Sequence, residues 1–257
     1  MTDELGSRGG FFGFGRSPLA LDCTLALPVA GRPGNPETTA PPEPMNVGFT
    51  APEPELTQVL VWLLAPLLLL ALLRAPWRAL VARQERMTAL GVSIATLPLL
   101  WSMSPPLPGD IHLHLLGMTT VTLVFGWQLA LLAGLLAGGV LVFVGNWALP
   151  ALPINYLLTV AVPVLVSAVV LGSANRLRRT NLFVYMLGVG FFGSMAAIGA
   201  TLAVGNHLLD TGLDHALVML LTFPEGFVNG AIISALTVFY PELVRTYDDE
   251  RYLGKPR

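Results

Sequence analysis

Residues 128–148 read QLALLAGLLAGGVLVFVGNWA, a stretch without a single Asp, Glu, Lys or Arg. Its length matches the roughly 20 residues that a helix needs to cross the hydrocarbon core of a bilayer. The rest of the chain has the same character, because 54% of its 257 residues are hydrophobic and 12% are charged, and the mean hydropathy is +0.67. Few soluble domains have this composition. The sequence therefore predicts an all-α integral membrane protein that lies in the lipid bilayer.

Further apolar runs of similar length lie on both sides of this stretch and are separated by turn residues or charges. Together they predict a polytopic bundle of seven transmembrane helices, at residues 57–74, 87–104, 112–126, 128–148, 154–174, 181–205 and 213–240. The run 112–126 is short, and its separation from the next run depends mainly on Gly126. A bundle of six helices with one long, tilted segment is therefore the alternative.

The basic residues predict the orientation, because short loops rich in Arg or Lys stay in the cytoplasm. In the seven-helix arrangement the basic clusters follow the first, fifth and seventh helices, so all three lie on one side. They comprise Arg74, Arg78, Arg83 and Arg86, then Arg176, Arg178 and Arg179, then Arg245, Arg251, Lys255 and Arg257. The loops of the other side carry Asp110, Asp210 and Asp214 and no basic residue. The amino terminus is therefore predicted outside and the carboxyl terminus in the cytoplasm, whereas six helices would break this agreement.

The two ends of the chain differ from the apolar region. Residues 1–44 are rich in Gly and Pro and lack a periodic apolar face, so we expect a disordered leader there. Met45 opens MNVGFTAPE directly before the first apolar run and is an alternative start of translation. We expect the transmembrane domain at residues 45–245 and a charged cytoplasmic tail at residues 246–257.

Two histidines and an acid lie at the edge of an apolar run, in the stretch Asp110-Ile-His112-Leu-His114-Leu-Leu-Gly117. The preceding sequence PPLPG ends a helix. In an extended or turning chain the two imidazoles need not diverge as they would at positions i and i+2 of a helix. Because imidazole nitrogens suit transition-metal ions, Asp110, His112 and His114 form a candidate metal site. The alternative is that both histidines are interfacial and hydrogen-bond to lipid headgroups or loop carbonyls.

Glu225 lies well inside the last apolar run. An ionisable side chain within a membrane span is costly and is a functional residue by default. The preceding residue, Pro224, should kink the helix and free backbone polar groups beside the carboxylate. We expect Glu225, with Asn229 one turn later, to lie on the substrate path or to couple to a partner. The alternative is a structural carboxyl that hydrogen-bonds to Asn229 or Asn146.

A second group of polar residues surrounds the last outer loop. His207, Asp210, Asp214 and His215 have a spacing compatible with a cluster that attracts cations. The alternative is a solvated loop, and it is the interpretation that the sequence favours.

Several functions are disfavoured by the motifs that the sequence lacks. It has no Gly-x-x-x-x-Gly-Lys-Ser/Thr phosphate-binding loop, so ATP-driven work would need a separate ATPase subunit. It has neither a His-Glu-x-x-His nor a Gly-x-Ser-x-Gly motif, so we do not expect an enzyme of the protease or hydrolase type. The few basic residues lie next to the membrane, which argues against nucleic-acid binding. The single cysteine, Cys23, cannot form an internal disulfide.

Two groups of short motifs resemble those of a known family. The first is His114-Leu-Leu-Gly117 followed at a matching distance by Phe125-Gly126, and the second is Glu225-Gly226 followed by Pro241-Glu242-Leu243. Over residues 45–245 the chain is similar to the CbiM/NikM family, the membrane substrate-binding components of energy-coupling-factor (ECF) importers for nickel and cobalt.

The resemblance implies a permease component in the inner membrane that binds a divalent metal, nickel or cobalt, as its substrate and requires no cofactor of its own. A coupling membrane subunit and ATPase subunits would be its partners. His114 stands at the family's histidine position, and His112 could compensate for a second histidine that is missing. Family members begin with Met-His-Ile, whereas Met45 is followed by Asn46.

Two other functions remain open from the sequence. A membrane scaffold or metalloenzyme assembly factor could use the same helical frame without transporting anything. An integral-membrane metalloenzyme would need a catalytic base near the histidines, and Asp110 is the available one.

Overall fold

A computed structural model of the chain describes residues 52–103, 106–107, 111–112, 115–177, 181–209 and 215–254. The predicted leader, residues 1–44, and the alternative start at Met45 lie outside these residues. Nearly all regular structure in the described part is helical, as predicted. The α-helices are α1 (Pro54–Arg74), α2 (Trp77–Val81), α3 (Gln84–Ser102), α4 (Met118–Phe125), α5 (Trp127–Val144), α6 (Leu152–Tyr156), α7 (Val162–Ala174), α8 (Gly193–Leu209), α9 (His215–Phe239) and α10 (Asp249–Leu253).

Three helices, α6, α7 and α8, are extended by helical turns of other types. A 3₁₀ turn, Leu149–Ala151, precedes α6, and a π-helical segment, Leu157–Ala161, joins α6 to α7. A second π-helical segment, Val184–Phe192, leads into α8. The chain is therefore helical without a break through Leu149–Ala174 and through Val184–Leu209.

Five helices of the described region are long and apolar enough to cross a membrane. They are Pro54–Arg74, Trp127–Val144, Leu149–Ala174, Val184–Leu209 and Val218–Phe239. They make the protein a multi-pass helical membrane protein. Helix α3 has 19 residues but is not among the five, because Gln84, Glu85 and Arg86 make its first turn polar.

The predicted run 112–126 is not one spanning helix. Its helical part, α4, has eight residues and rises about 12 Å at 1.5 Å per residue, far less than the ~30 Å of a bilayer's hydrocarbon core. Residues 115–117 before it are not helical, and Gly117 takes a left-handed conformation with φ +66°. Seven of the eight α4 side chains are buried, so α4 is a half-helix enclosed by the bundle.

Two short paired strands precede α4, where the sequence predicted an extended or turning chain. Strand β1 (Pro106–Leu107) pairs in antiparallel fashion with β2 (Ile111–His112), and Pro106 faces His112 in the register. Two-residue strands contribute little to stability.

The core is built by most of the long helices: α5 packs against α1, α3 and α4, α7 packs against α4 and α8, and α9 packs against α8. Its largest buried side chains include Trp101, Met118, Tyr156 and Tyr185. Glycines allow two of the closest contacts. An added Cβ at Gly134 would lie 2.3 Å from Val160 Cγ1, and one at Gly226 would lie 2.6 Å from Met195 Cγ. Small residues let helix backbones approach closely in a bilayer, where lipid provides no hydrophobic drive for association.

Three loops meet at one end of the bundle. Arg86, at the start of α3, donates through Nη2 to the Glu242 carbonyl at 2.8 Å. Tyr252, in α10, donates through its hydroxyl to Asn175 Oδ1 at 2.9 Å. The segment that follows α9 therefore contacts both the segment that follows α1 and the one that follows α7.

Candidate functional site

The amino-terminal end of α4 lies against the middle of α9. The first N–H groups of any α-helix have no partner within the helix, and no side chain of the α4 segment itself caps them. Two side chains of α9, Glu225 and Asn229, supply acceptors instead. This contact joins residues more than a hundred positions apart in the chain.

Glu225 binds the backbone directly before α4. Its Oε2 accepts the Leu116 N–H at 2.8 Å, and its Oε1 accepts the Gly117 N–H at 2.8 Å. Asn229 Nδ2 donates to the same Oε1 at 2.7 Å. The side chain is buried, with 3% of its surface exposed. Because a buried carboxylate needs hydrogen-bond partners, and because the positive end of a helix dipole favours a negative charge, this end of α4 suits Glu225.

Asn229 extends the contact by one turn. Its Oδ1 accepts from the Thr120 N–H at 3.0 Å and from the Thr120 hydroxyl at 2.6 Å, while its Nδ2 also donates to the Glu225 carbonyl at 2.9 Å. The side-chain amide of Asn229 therefore accepts through its oxygen and donates through its nitrogen. From the sequence, Asn229 and Asn146 were the two hydrogen-bond partners considered for a structural Glu225. The structure shows the bond to Asn229.

Two further helices hold the same stretch of chain. The Trp101 indole of α3 donates to the Leu116 carbonyl at 3.1 Å, and its ring stacks on Trp147 with a centroid distance of 5.7 Å. In addition, the hydroxyls of Thr119, in α4, and Ser167, in α7, are 2.8 Å apart. The start of α4 is therefore fixed from α3, α7 and α9.

The carboxyl-terminal end of α4 is bound by the segment that follows α9. The Arg245 N–H donates to the Val124 carbonyl at 2.9 Å, and Arg245 Nη1 donates to the Phe125 carbonyl at 3.1 Å. Thr246 donates through its hydroxyl to the Leu123 carbonyl at 2.6 Å. Partial burial of the guanidinium lowers the pKa of Arg245, because desolvation penalises its charged form. Both ends of α4 are thus tied to α9 and its continuation.

The predicted metal ligands are only partly within the described structure. Asp110 and His114 lie outside the described residues, and for His112 the structure describes the backbone, in β2, but not the side chain. Leu116, which Glu225 binds, is two positions after His114. Within the described ranges, no three His, Cys, Asp or Glu residues are close enough together to hold a metal ion.

The residues of the last outer loop are not brought together in the described structure. His207 lies near the end of α8 and is exposed. Asp210 and Asp214 fall outside the described residues, and His215 begins α9 with only its backbone described. Their predicted role stays a prediction.

Glu225 and Asn229 stand out in the sequence, but the groups that they bind do not. Leu116 and Gly117 contribute backbone N–H groups, which carry no side-chain signature. A signal was nevertheless present, because a buried carboxylate must find donors, and within a membrane the free N–H groups lie at helix starts. Gly117 marks such a start.

Comparison with known proteins gives one family. Residues 54–243 match the family model CbiM, described as cobalt uptake substrate-specific transmembrane region. Neither a curated protein nor a solved structure matches the chain. The matched region contains every described residue of the α4 and α9 contact.

Proposed function

Because the chain belongs to the CbiM family of cobalt uptake transmembrane proteins, we propose that it binds a divalent transition-metal ion, cobalt or nickel, as substrate and admits it across the membrane. The family match over residues 54–243 is the observation that carries this proposal. The half-helix α4 adds to it, since broken helices inside a bundle are where membrane transporters commonly handle their substrates.

The proposed metal ligands are the side chains of His114 and His112, with Asp110 next to them. Imidazole nitrogen is a favoured ligand for both nickel and cobalt. His114 is two positions before the backbone that Glu225 and Trp101 bind, so the ion would lie beside the start of α4. His207, Asp210, Asp214 and His215 would at most attract cations toward the outer face.

The proposed topology has seven passages, and α4 with the residues that precede it is one of them. The amino terminus is outside, and the carboxyl terminus is in the cytoplasm. The contacts of Arg86 with Glu242 and of Tyr252 with Asn175 support this topology, because they join the three arginine-rich connections. Arginine-rich loops on one side are typical of the cytoplasmic face.

We propose an inner-membrane location and an ECF-type partnership with a coupling membrane subunit and ATPase subunits. The sequence has no phosphate-binding loop of its own, so energy from ATP would have to come from another chain. In this arrangement the present chain provides the substrate site, and its partners drive the transport.

Uptake of radioactive cobalt or nickel by cells tests this proposal. We expect uptake when the full chain is co-expressed with a coupling membrane subunit and its ATPase, and background uptake when the ATPase is inactive. His114→Ala should reduce uptake to background, whereas His207→Ala, at the exposed histidine of α8, should leave most of it. Uptake that is equal with and without the chain would contradict the proposal.

A further inference from the structure

We infer that Glu225 and Asn229 are positioning residues that hold Leu116, Gly117 and the first turn of α4, which follow the proposed ligand His114 in the chain, and that Glu225 is not itself a metal ligand. This inference rests on the proposed function for the identity of the substrate. Its structural part, the clamp between α9 and the chain before α4, stands on the hydrogen bonds of the described residues.

The hydrogen bonds of Glu225 leave it little capacity for a metal ion. An ionised carboxylate offers about four lone-pair positions. Three are occupied, by the Leu116 N–H, the Gly117 N–H and Asn229 Nδ2, at distances between 2.7 and 2.8 Å. Both oxygens are engaged, so binding an ion through either one would compete with the donors that satisfy this buried charge.

The clamp acts on the residues next to the proposed ligand. Leu116 is two positions after His114, a distance of at most about 7 Å along an extended chain. The Leu116 N–H is bound by Glu225 and its carbonyl by Trp101. Both backbone groups of Leu116 are therefore fixed by side chains, two positions after the proposed ligand His114.

Asn229 keeps the carboxylate and α4 in register. It donates to Glu225 Oε1 and accepts from the Thr120 N–H and hydroxyl, so one side chain connects the carboxylate with the first turn of α4. Preorganisation of this kind raises the affinity of a site because less conformational freedom is lost when the ligand binds. The pair should therefore change how tightly the ion binds without entering its coordination shell.

Glu225→Gln in the purified full chain, titrated with Co²⁺, tests the inference. Glutamine keeps the shape, but its NH₂ group faces an N–H donor that the carboxylate accepted. We expect the dissociation constant for Co²⁺ to rise about tenfold or more, while the visible absorption bands of the bound ion stay unchanged because its ligands are the same. Glu55→Gln, at an exposed glutamate of α1, is the matched control and should have no effect. Unchanged affinity, or altered absorption bands, would overturn the inference.

Hydrogen exchange tests the clamp without metal. In the wild type the amides of residues 116 and 117 should exchange slowly, and Glu225→Gln should accelerate them while exchange in α5 stays the same. Equal exchange in the two proteins would refute the clamp. A wild type that binds neither Co²⁺ nor Ni²⁺ would instead refute the proposed function, so the two failures are distinguishable.

Discussion

Gly126 separates α4 from α5 by a backbone conformation that other residues avoid. Its φ of +89° and ψ of 159° lie in a region that is essentially restricted to glycine. The guanidinium of Arg245 occupies the space beside it, since an added Cβ would lie 2.6 Å from Nη1. The missing side chain thus permits both the sharp turn and the hydrogen bond from Arg245 to the Phe125 carbonyl.

Gly126→Ala should destabilise the protein by about 1–3 kcal/mol, the usual cost of such a backbone conformation in a residue with a side chain. Thermal unfolding in detergent measures this change. Gly139→Ala is the matched control in the neighbouring α5, because an added Cβ there meets nothing within 4 Å. Equal unfolding temperatures for the two variants would contradict the explanation of the turn.

Glu225 illustrates what a single residue reveals in the sequence. Its position within an apolar run was enough to identify it as unusual, because charge in a membrane span is costly. Its partners could not be read from the chain. They are backbone groups that lie 108 and 109 positions away, and only the fold brings them together.

Among the elements, the long helices were the easiest to predict. The expected run 57–74 corresponds to Pro54–Arg74, and 213–240 corresponds to His215–Phe239, because hydropathy is a local property that can be read along the chain. The half-helix α4 was harder to predict. Where α4 starts depends on acceptors from α9 and on a donor from α3 as well as on its own residues, so a pattern of apolar residues could not locate it.

At the scale of the whole molecule, three arginine-rich connections meet at one end of the bundle through Arg86, Asn175 and the residues after α9. The sequence predicted that these connections share a side but could not identify the contacts. The same end holds Arg245 and Thr246 against the end of α4. A partner bound at this face would therefore contact the segment with Arg245 and Thr246. That segment binds the carboxyl-terminal end of α4, and the proposed ligand His114 lies shortly before the start of α4.

Labelling of single cysteines from outside the cell tests the orientation. In a Cys23→Ser background, a cysteine replacing the exposed Leu149 should react with a membrane-impermeant thiol reagent in intact cells. A cysteine replacing the exposed Leu177 should react only after the membrane is permeabilised, because it follows the helix that ends beside Arg176. The opposite pattern would reverse the proposed topology.

Equilibrium binding of Co²⁺ and Ni²⁺ to the purified full chain tests the central claim most directly. The account predicts saturable binding by the wild type, loss of that binding in His114→Ala, and wild-type binding in the control His207→Ala. A wild type that binds neither ion, or a His114→Ala variant that binds as tightly as the wild type, would contradict it.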